Sequence, residues 1–167
     1  MKRLSLLLML AAIVFISSCG SDDEPGADYN FVEQVAQGVI EGDDWTLGSG
    51  TASATEDQDG NKIYSVNMYS AQETMQDACG FFGADFDKIF FSIPTEVGVY
   101  ALSFDLSSFS GRTATLYDNE TGLNVIASDG AIEIVEVTET QVIGKVDIRS
   151  GTDNNINGNF TLDLCSD

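Results

Sequence analysis

Twenty-seven carboxylates, three thiols and not one imidazole set the limits on what chemistry this 167-residue chain can do. Without histidine, a Ser-His-Asp or Cys-His nucleophile has no base to activate it, and zinc sites that need imidazole lack their ligand. Carboxylate chemistry remains. Glycoside hydrolysis asks for two acids about 5 to 9.5 Å apart across the scissile bond, so a carboxylate-dependent polysaccharide hydrolase is one reading of the chain. No spacing singles out such a pair, and the sequence reads first as a non-enzyme. Asp57, Asp59 and Asn61 alternate around Gly60, so their oxygens can converge on Ca²⁺, as in a calcium-stabilised adhesin-like domain. The same residues also make a plain hairpin turn, and the distal bidentate Glu of an EF-hand is absent. Asp153, Asn154 and Asn155 form a second oxygen-rich turn with the same two readings. No cofactor beyond this candidate Ca²⁺ is called for. Aromatic rings are the usual platforms for sugars, and Trp45, Tyr64, Tyr69, Tyr100 and Tyr117 are candidates. Trp45 stands out because Asp43 and Asp44 beside it can hydrogen-bond hydroxyls. A sole Trp in a small sandwich equally serves as a core plug. Phe81-Phe82 and Phe90-Phe91 read as core, with one ring of each pair free to be exposed.

The elements that must position these residues are short strands. Period-2 alternation and β-branched runs, separated by Gly, Asn and Asp turns, predict strands at Phe31–Glu41, Thr46–Ala54, Lys62–Tyr69, Lys88–Pro94 and Gly98–Asp105. Five more follow at Thr113–Tyr117, Asn124–Ala127, Ala131–Thr138, Gln141–Arg149 and Gly158–Leu164. Turns at Asp57–Asn61, Asp118–Gly122 and Gly151–Asn155 join neighbours as hairpins. Ala71–Ala78, with Ser70 as a cap, predicts one or two helical turns just before Cys79. Ten strands and one short helix predict an all-β antiparallel sandwich, with a closed barrel as the alternative.

The N-terminus is of another kind. Lys2 and Arg3 precede the apolar stretch Leu4–Ile16, and Ser17 and Ser18 place small side chains before Cys19, the pattern of a cleaved export signal. The run is too short to span a bilayer, which takes about 20 apolar residues. Ile16-Ser17-Ser18-Cys19 resembles the lipobox of bacterial lipoproteins. That resemblance implies that Cys19 is lipidated on sulfur and becomes the first residue of the mature chain. The acidic cluster Asp22-Asp23-Glu24 behind it resembles the surface-export signal of lipoproteins in the Bacteroidota, which implies an outer-membrane anchor with the domain facing outward. Polar, acidic composition also suits a plain solvated tether. The chain thus divides into a signal peptide at 1–18, an acidic linker at 19–29 and a single domain at 30–167.

Loss of the signal leaves five basic residues against 27 acidic ones, a net charge of −22. Nucleic acid is excluded as a partner, because phosphate backbones need clustered Lys and Arg. Membrane residence has to come from acyl chains rather than from the protein surface. With Cys19 assigned to lipid, Cys79 and Cys165 remain as an even pair in an oxidising compartment and are expected to be bridged, two buried thiols being the alternative. Closing that loop is worth up to about 4.6 kcal/mol in the chain-entropy model.

From Gly38 onward the chain resembles small surface lipoproteins of the Bacteroidota with no assigned activity. The resemblance rests on Gly38–Trp45, Ile93-Pro94 leading to Gly98–Leu102, Gly130–Ile134, Val142–Val146 and Asn157–Phe160. It implies a β-sandwich acting as a binding or structural module of the envelope, in contact with a glycan or another envelope protein. Replacing Cys19 by Ser is expected to abolish incorporation of labelled palmitate and to release the chain from the membrane fraction; retained label would place the acylation elsewhere.

Overall fold

The computed structural model describes residues 29–70, 79 and 86–165. The signal peptide, Cys19, the expected helix at Ala71–Ala78 and Phe81-Phe82 lie outside the described residues. Those described are all-β. Twelve strands run as β1 Gln37–Ile40, β2 Asp43–Glu56, β3 Lys62–Ser70, β4 Lys88–Pro94, β5 Gly98–Ala101 and β6 Ser103–Asp105, followed by β7 Ser110–Arg112, β8 Ala114–Asp118, β9 Leu123–Ala127, β10 Asp129–Val137, β11 Gln141–Arg149 and β12 Asn155–Cys165. Ten of them form one sheet in the order β5-β10-β11-β12-β1-β2-β3-β4-β8-β9, and β6 pairs only with β7.

The edge strands β5 and β9 do not pair with each other, so the sheet is not a barrel. It folds over on itself instead. Ile132, Val146, Ile148 and Phe160 from one wing share a single core with Val66, Met68, Phe91 and Leu116 from the other, which makes the architecture sandwich-like. The fold line runs through β1, β2 and β12. At one end β1 is wedged between the other two, Gly38 lying opposite both Trp45 and Ile156. At the other end β2 and β12 pair directly and in parallel, Thr51–Ser53 against Asp163–Cys165. Between the two regimes β2 carries a bulge from Leu47 to Ser49, and bulges bend and twist the strand that holds them. Gly50 follows, where a Cβ would stand 2.6 Å from both the Asn67 carbonyl oxygen and Leu162 Cδ2. The Cys79–Cys165 disulfide, with Cα atoms 5.6 Å apart, ties the end of β12 to the segment after β3.

Three sequence expectations change in the structure. Phe31–Glu41 was expected as one strand, yet only Gln37–Ile40 is strand. Residues 29–36 form a strap whose backbone bonds partly to side chains: the Asn30 amide donates to Asp147 Oδ2 at 2.9 Å, and the Val32 amide to Asn157 Oδ1 at 2.8 Å. Asn157 Nδ2 returns a bond to the Asn30 carbonyl, and Glu33 receives Lys145 Nζ at 2.5 Å and Asn159 Nδ2 at 3.0 Å. The strap therefore covers the outer face of β11–β12. Gly98–Asp105 is broken at buried Leu102, whose amide bonds to the Gly130 carbonyl, so that β5 joins the main sheet and β6 leaves it. A twelfth element, β7, completes the small hairpin; Gly111 there has φ +146 and no room for a Cβ, which would lie 2.1 Å from the Ser103 carbonyl oxygen.

Gly158 marks where the strap crosses β12. Its φ is +136, and a Cβ would lie 2.7 Å from the Gln34 and Val35 carbonyl oxygens. Gly158→Ala is expected to lower stability by about 1–3 kcal/mol and to expose the strap to proteolysis ahead of the rest of the domain. Thermal unfolding and limited proteolysis read both effects, and an unchanged cleavage pattern would mean that the strap is held independently of this crossing.

Candidate functional site

Trp45 is 2% exposed, opposite Gly38, and its indole N–H donates to the Asp87 carbonyl at 3.3 Å. That burial corrects its candidacy as a sugar platform: the ring is a core plug. Asp43 and Asp44 are exposed beside the β1–β2 turn with no aromatic face between them. Tyr64 and Tyr69 are buried as well. Tyr100 and Tyr117 are half-buried, each under a cation: Arg112 lies 5.1 Å from the ring of Tyr100, and Lys88 Nζ 5.2 Å from that of Tyr117.

The two oxygen-rich turns do not meet. β2 and β12 run parallel, so the Asp57 turn after β2 and the Asp153 turn before β12 lie at opposite ends of the domain. In the first, Asp57 Oδ1 accepts the amides of Asp59 and Asn61 at 2.9 and 2.8 Å, and Oδ2 accepts Asn61 Nδ2 at 2.9 Å. Asn61 thus presents its amide nitrogen rather than its oxygen. Gly60, at φ +81, completes the hairpin. In the second turn, Asn154 is buried and clamps the β1–β2 turn, accepting the Glu41 amide at 2.9 Å and donating to Glu41 Oε1 at 2.8 Å. Glu41 and Gly42 both have positive φ, as a type I′ turn requires, so this clamp holds a non-glycine residue where glycine would be easier. Among the described residues no three His, Cys, Asp or Glu side chains gather to hold a metal ion.

A groove of about 1000 Å³ lies instead on the outer face of β3, β4 and β8. Strand alternation builds it. Tyr64, Val66 and Met68 of β3, Ile89, Phe91 and Ile93 of β4, and Ala114 and Leu116 of β8 point into the core, so their neighbours point out. Register then sets those neighbours in rows across the strands: Ile63 beside Pro94, Ser65 beside Ser92, Asn67 beside Phe90 beside Thr115, and Lys88 beside Tyr117. The Asp57–Lys62 turn closes one end, and the β6–β7 hairpin flanks the groove with Ser103, Gly111 and Arg112. Arg112 is fixed there by Tyr100 and by donation from Nη1 to the Ala101 carbonyl at 3.3 Å.

Several polar side chains outside the groove are spent on the fold: Asp105 caps Ser107 and Ser108, Asp118 caps Glu120 and Thr121, and Asn157 and Asn159 hold the strap. The side chains of Ser65, Asn67 and Ser92, and of buried Thr115 beneath them, bond to no described residue, and they line the groove with the half-exposed ring of Phe90. Phe90 is the outward member of the Phe90-Phe91 pair. The signal for this face was present as the polar residues of an alternating strand, but alternation names a face without saying which strands will lie beside it.

Asp57 and Glu96 are the carboxylates lining the groove among the described residues. The Asn61 amide, followed by the backbone N–H groups of the turn, holds the Asp57 carboxyl below the usual carboxylate range. A general acid needs the opposite shift. Because the folded value lies below the unfolded one, the turn's stabilisation is present above the ordinary Asp value and lost as pH falls through the folded value. Carboxyl titration by NMR is expected to place Asp57 below 3.8, and Asn61→Ala to move it upward; an unmoved midpoint would exclude Asn61 as the cause. Compared with known proteins, the chain matches no family model, no curated protein and no solved structure.

Proposed function

We propose that this chain is a lipid-anchored domain of the outer membrane, facing away from the cell, that holds a glycan without cleaving it. The observation that carries this reading is the set of Ser65, Asn67 and Ser92 side chains, bonded to no described residue, around Phe90 on an open sheet face. Hydroxyls and amides that donate and accept match the hydroxyls of a sugar, and an apolar ring matches its C–H face. The open groove, about 1000 Å³, suits an extended ligand better than an enclosed small molecule. A binding role is favoured over hydrolysis by Asp57, whose carboxylate is tied into its own turn and held ionised, so that it is not free to serve as a general acid.

The anchor rests on the lipobox-like Ile16-Ser17-Ser18-Cys19, and the outward orientation on Asp22-Asp23-Glu24. The cystine at Cys79–Cys165 fits an oxidising compartment. An envelope protein as the partner is the second reading; it predicts that no glycan is held.

A native-state ligand raises the melting temperature by linkage. Across a glycan panel, at least one polysaccharide is expected to raise that of the mature chain carrying Cys19→Ser. Phe90→Ala is expected to cost about 1–3 kcal/mol of binding, roughly ten- to hundredfold in Kd, by analogy with the stacking of rings on aromatic side chains. Reducing-end release from the bound polysaccharide would overturn the non-catalytic reading, and no shift with any glycan would pass the case to a protein partner.

A further inference from the structure

The cations of this acidic chain are divided between two faces in a way that names the charge of the ligand. Lys145 and Arg149 lie on the strap side and are neutralised there, Lys145 Nζ 2.5 Å from Glu33 and Arg149 within 3.2 Å of Asp129 and 3.6 Å of Asp147. Lys62, Lys88 and Arg112 form no ion pair with any described residue. Two of the three line the groove and the third adjoins it. Lys62 and Arg112 line it, and Lys88 Nζ sits 5.9 Å from the ring of Phe90, which also lines it.

We infer that the groove binds an acidic polysaccharide, one whose sugars carry carboxylate or sulfate groups; this rests on the glycan reading above. Arg112 is half-buried with no counter-ion among the described residues, and burial pushes its pKa down while leaving it a cation. An anionic ligand would satisfy that charge, and the Tyr100 stack and the Ala101 carbonyl leave its remaining N–H groups free to bond. Spacing gives the size. Lys88 begins β4, and Lys62 adjoins Ile63, which lies opposite Pro94 at the other end of that strand. Six residues of strand separate the two levels, about 20 Å at about 3.3 Å per residue. One small anion cannot reach all three cations, whereas a chain of charged sugars along the groove can. Glu96 on the rim and Glu56, opposite Lys62 on β2, are the opposing charges among the described residues, since Asp57 has its oxygens turned to Asn61 and the turn backbone. The net −22 repels anions at long range, so attraction acts only at contact, where Debye screening is weakest.

The test compares acidic polymers with their neutralised counterparts on the mature chain carrying Cys19→Ser: polygalacturonate against its methyl ester, and chondroitin sulfate against its desulfated form, with polyglutamate as a non-sugar polyanion. At least one acidic polysaccharide is expected to bind at least tenfold more tightly than its neutral counterpart. Combining Lys62→Gln, Lys88→Gln and Arg112→Gln is expected to remove that difference. Lys62→Gln alone, on an exposed turn, is expected to reduce it severalfold with the melting temperature unchanged, so the result does not hang on the triple variant folding. Lys145→Gln removes the same charge from the opposite face and is expected to leave binding within twofold. Equal binding of the neutral polymer, or equal weakening by Lys145→Gln, overturns the acidic-ligand inference and leaves the glycan reading standing. Binding of polyglutamate with no polysaccharide, or of no polymer at all, overturns both.

Discussion

A ten-stranded sheet with apolar residues on one face has to fold over to bury them, and the junction of β1, β2 and β12 is where this one does so. β1 splays its two neighbours at one end; at the other, β2 and β12 close into a parallel pair that needs Gly50 bare of a side chain against Leu162. Splayed at one end and joined at the other, the two wings face each other across one core. Breaking the β2–β12 pairing would open that core, so Trp45, Phe160 and Leu162 all depend on it. The cystine leaves β12 at this closed end, where a cross-link restrains the unfolded chain through an 86-residue separation.

Folding over gives the domain two outer faces, and they are used differently. On β11–β12 the strap takes up Asp147, Asn157, Asn159 and Lys145, so that face is closed by the chain's own backbone. On β3–β4–β8 no described segment crosses, and the polar side chains keep their donors and acceptors. Asn side chains occur on both faces, and what they bond to differs: Asn157 and Asn159 hold the strap, whereas Asn67 bonds to no described residue. Charge follows the same division: the ion-paired cations lie under the strap, and those with no ion pair among the described residues lie in or beside the groove.

Several of the acids are structural. Asp57, Asp105 and Asp118 each accept backbone N–H groups within a tight turn, and hydrogen bonds to the charged form hold all three below the usual carboxylate range. This explains why alternating Asp and Asn at Asp57–Asn61 has the look of a cation loop. Turn chemistry and metal chemistry both want short side chains bearing oxygen at close spacing, and sequence spacing does not separate them; the direction of the Asn61 amide does.

Several features were legible in the sequence because they are local. Period-2 alternation located β4 and β11 to the residue and β3 to within one, and Gly-Asn-Asp clusters located the hairpin turns. The even pair Cys79 and Cys165 was enough to expect the bridge. Phe31–Val35 misled because alternation does not distinguish a strand bonded to a ladder from a strap bonded to side chains of a distant strand. Gly98–Asp105 misled because the break at Leu102 depends on the Gly130 carbonyl, which lies far along the chain. Trp45, one plausible core plug among candidate platforms, was settled only by the register that sets it opposite Gly38. The groove was decided by tertiary structure alone: Lys62, Lys88 and Arg112 are far apart in sequence, and only the order β3-β4-β8 with the β6–β7 hairpin beside it brings them to one face, because strand order is set by long-range pairing that no local pattern encodes.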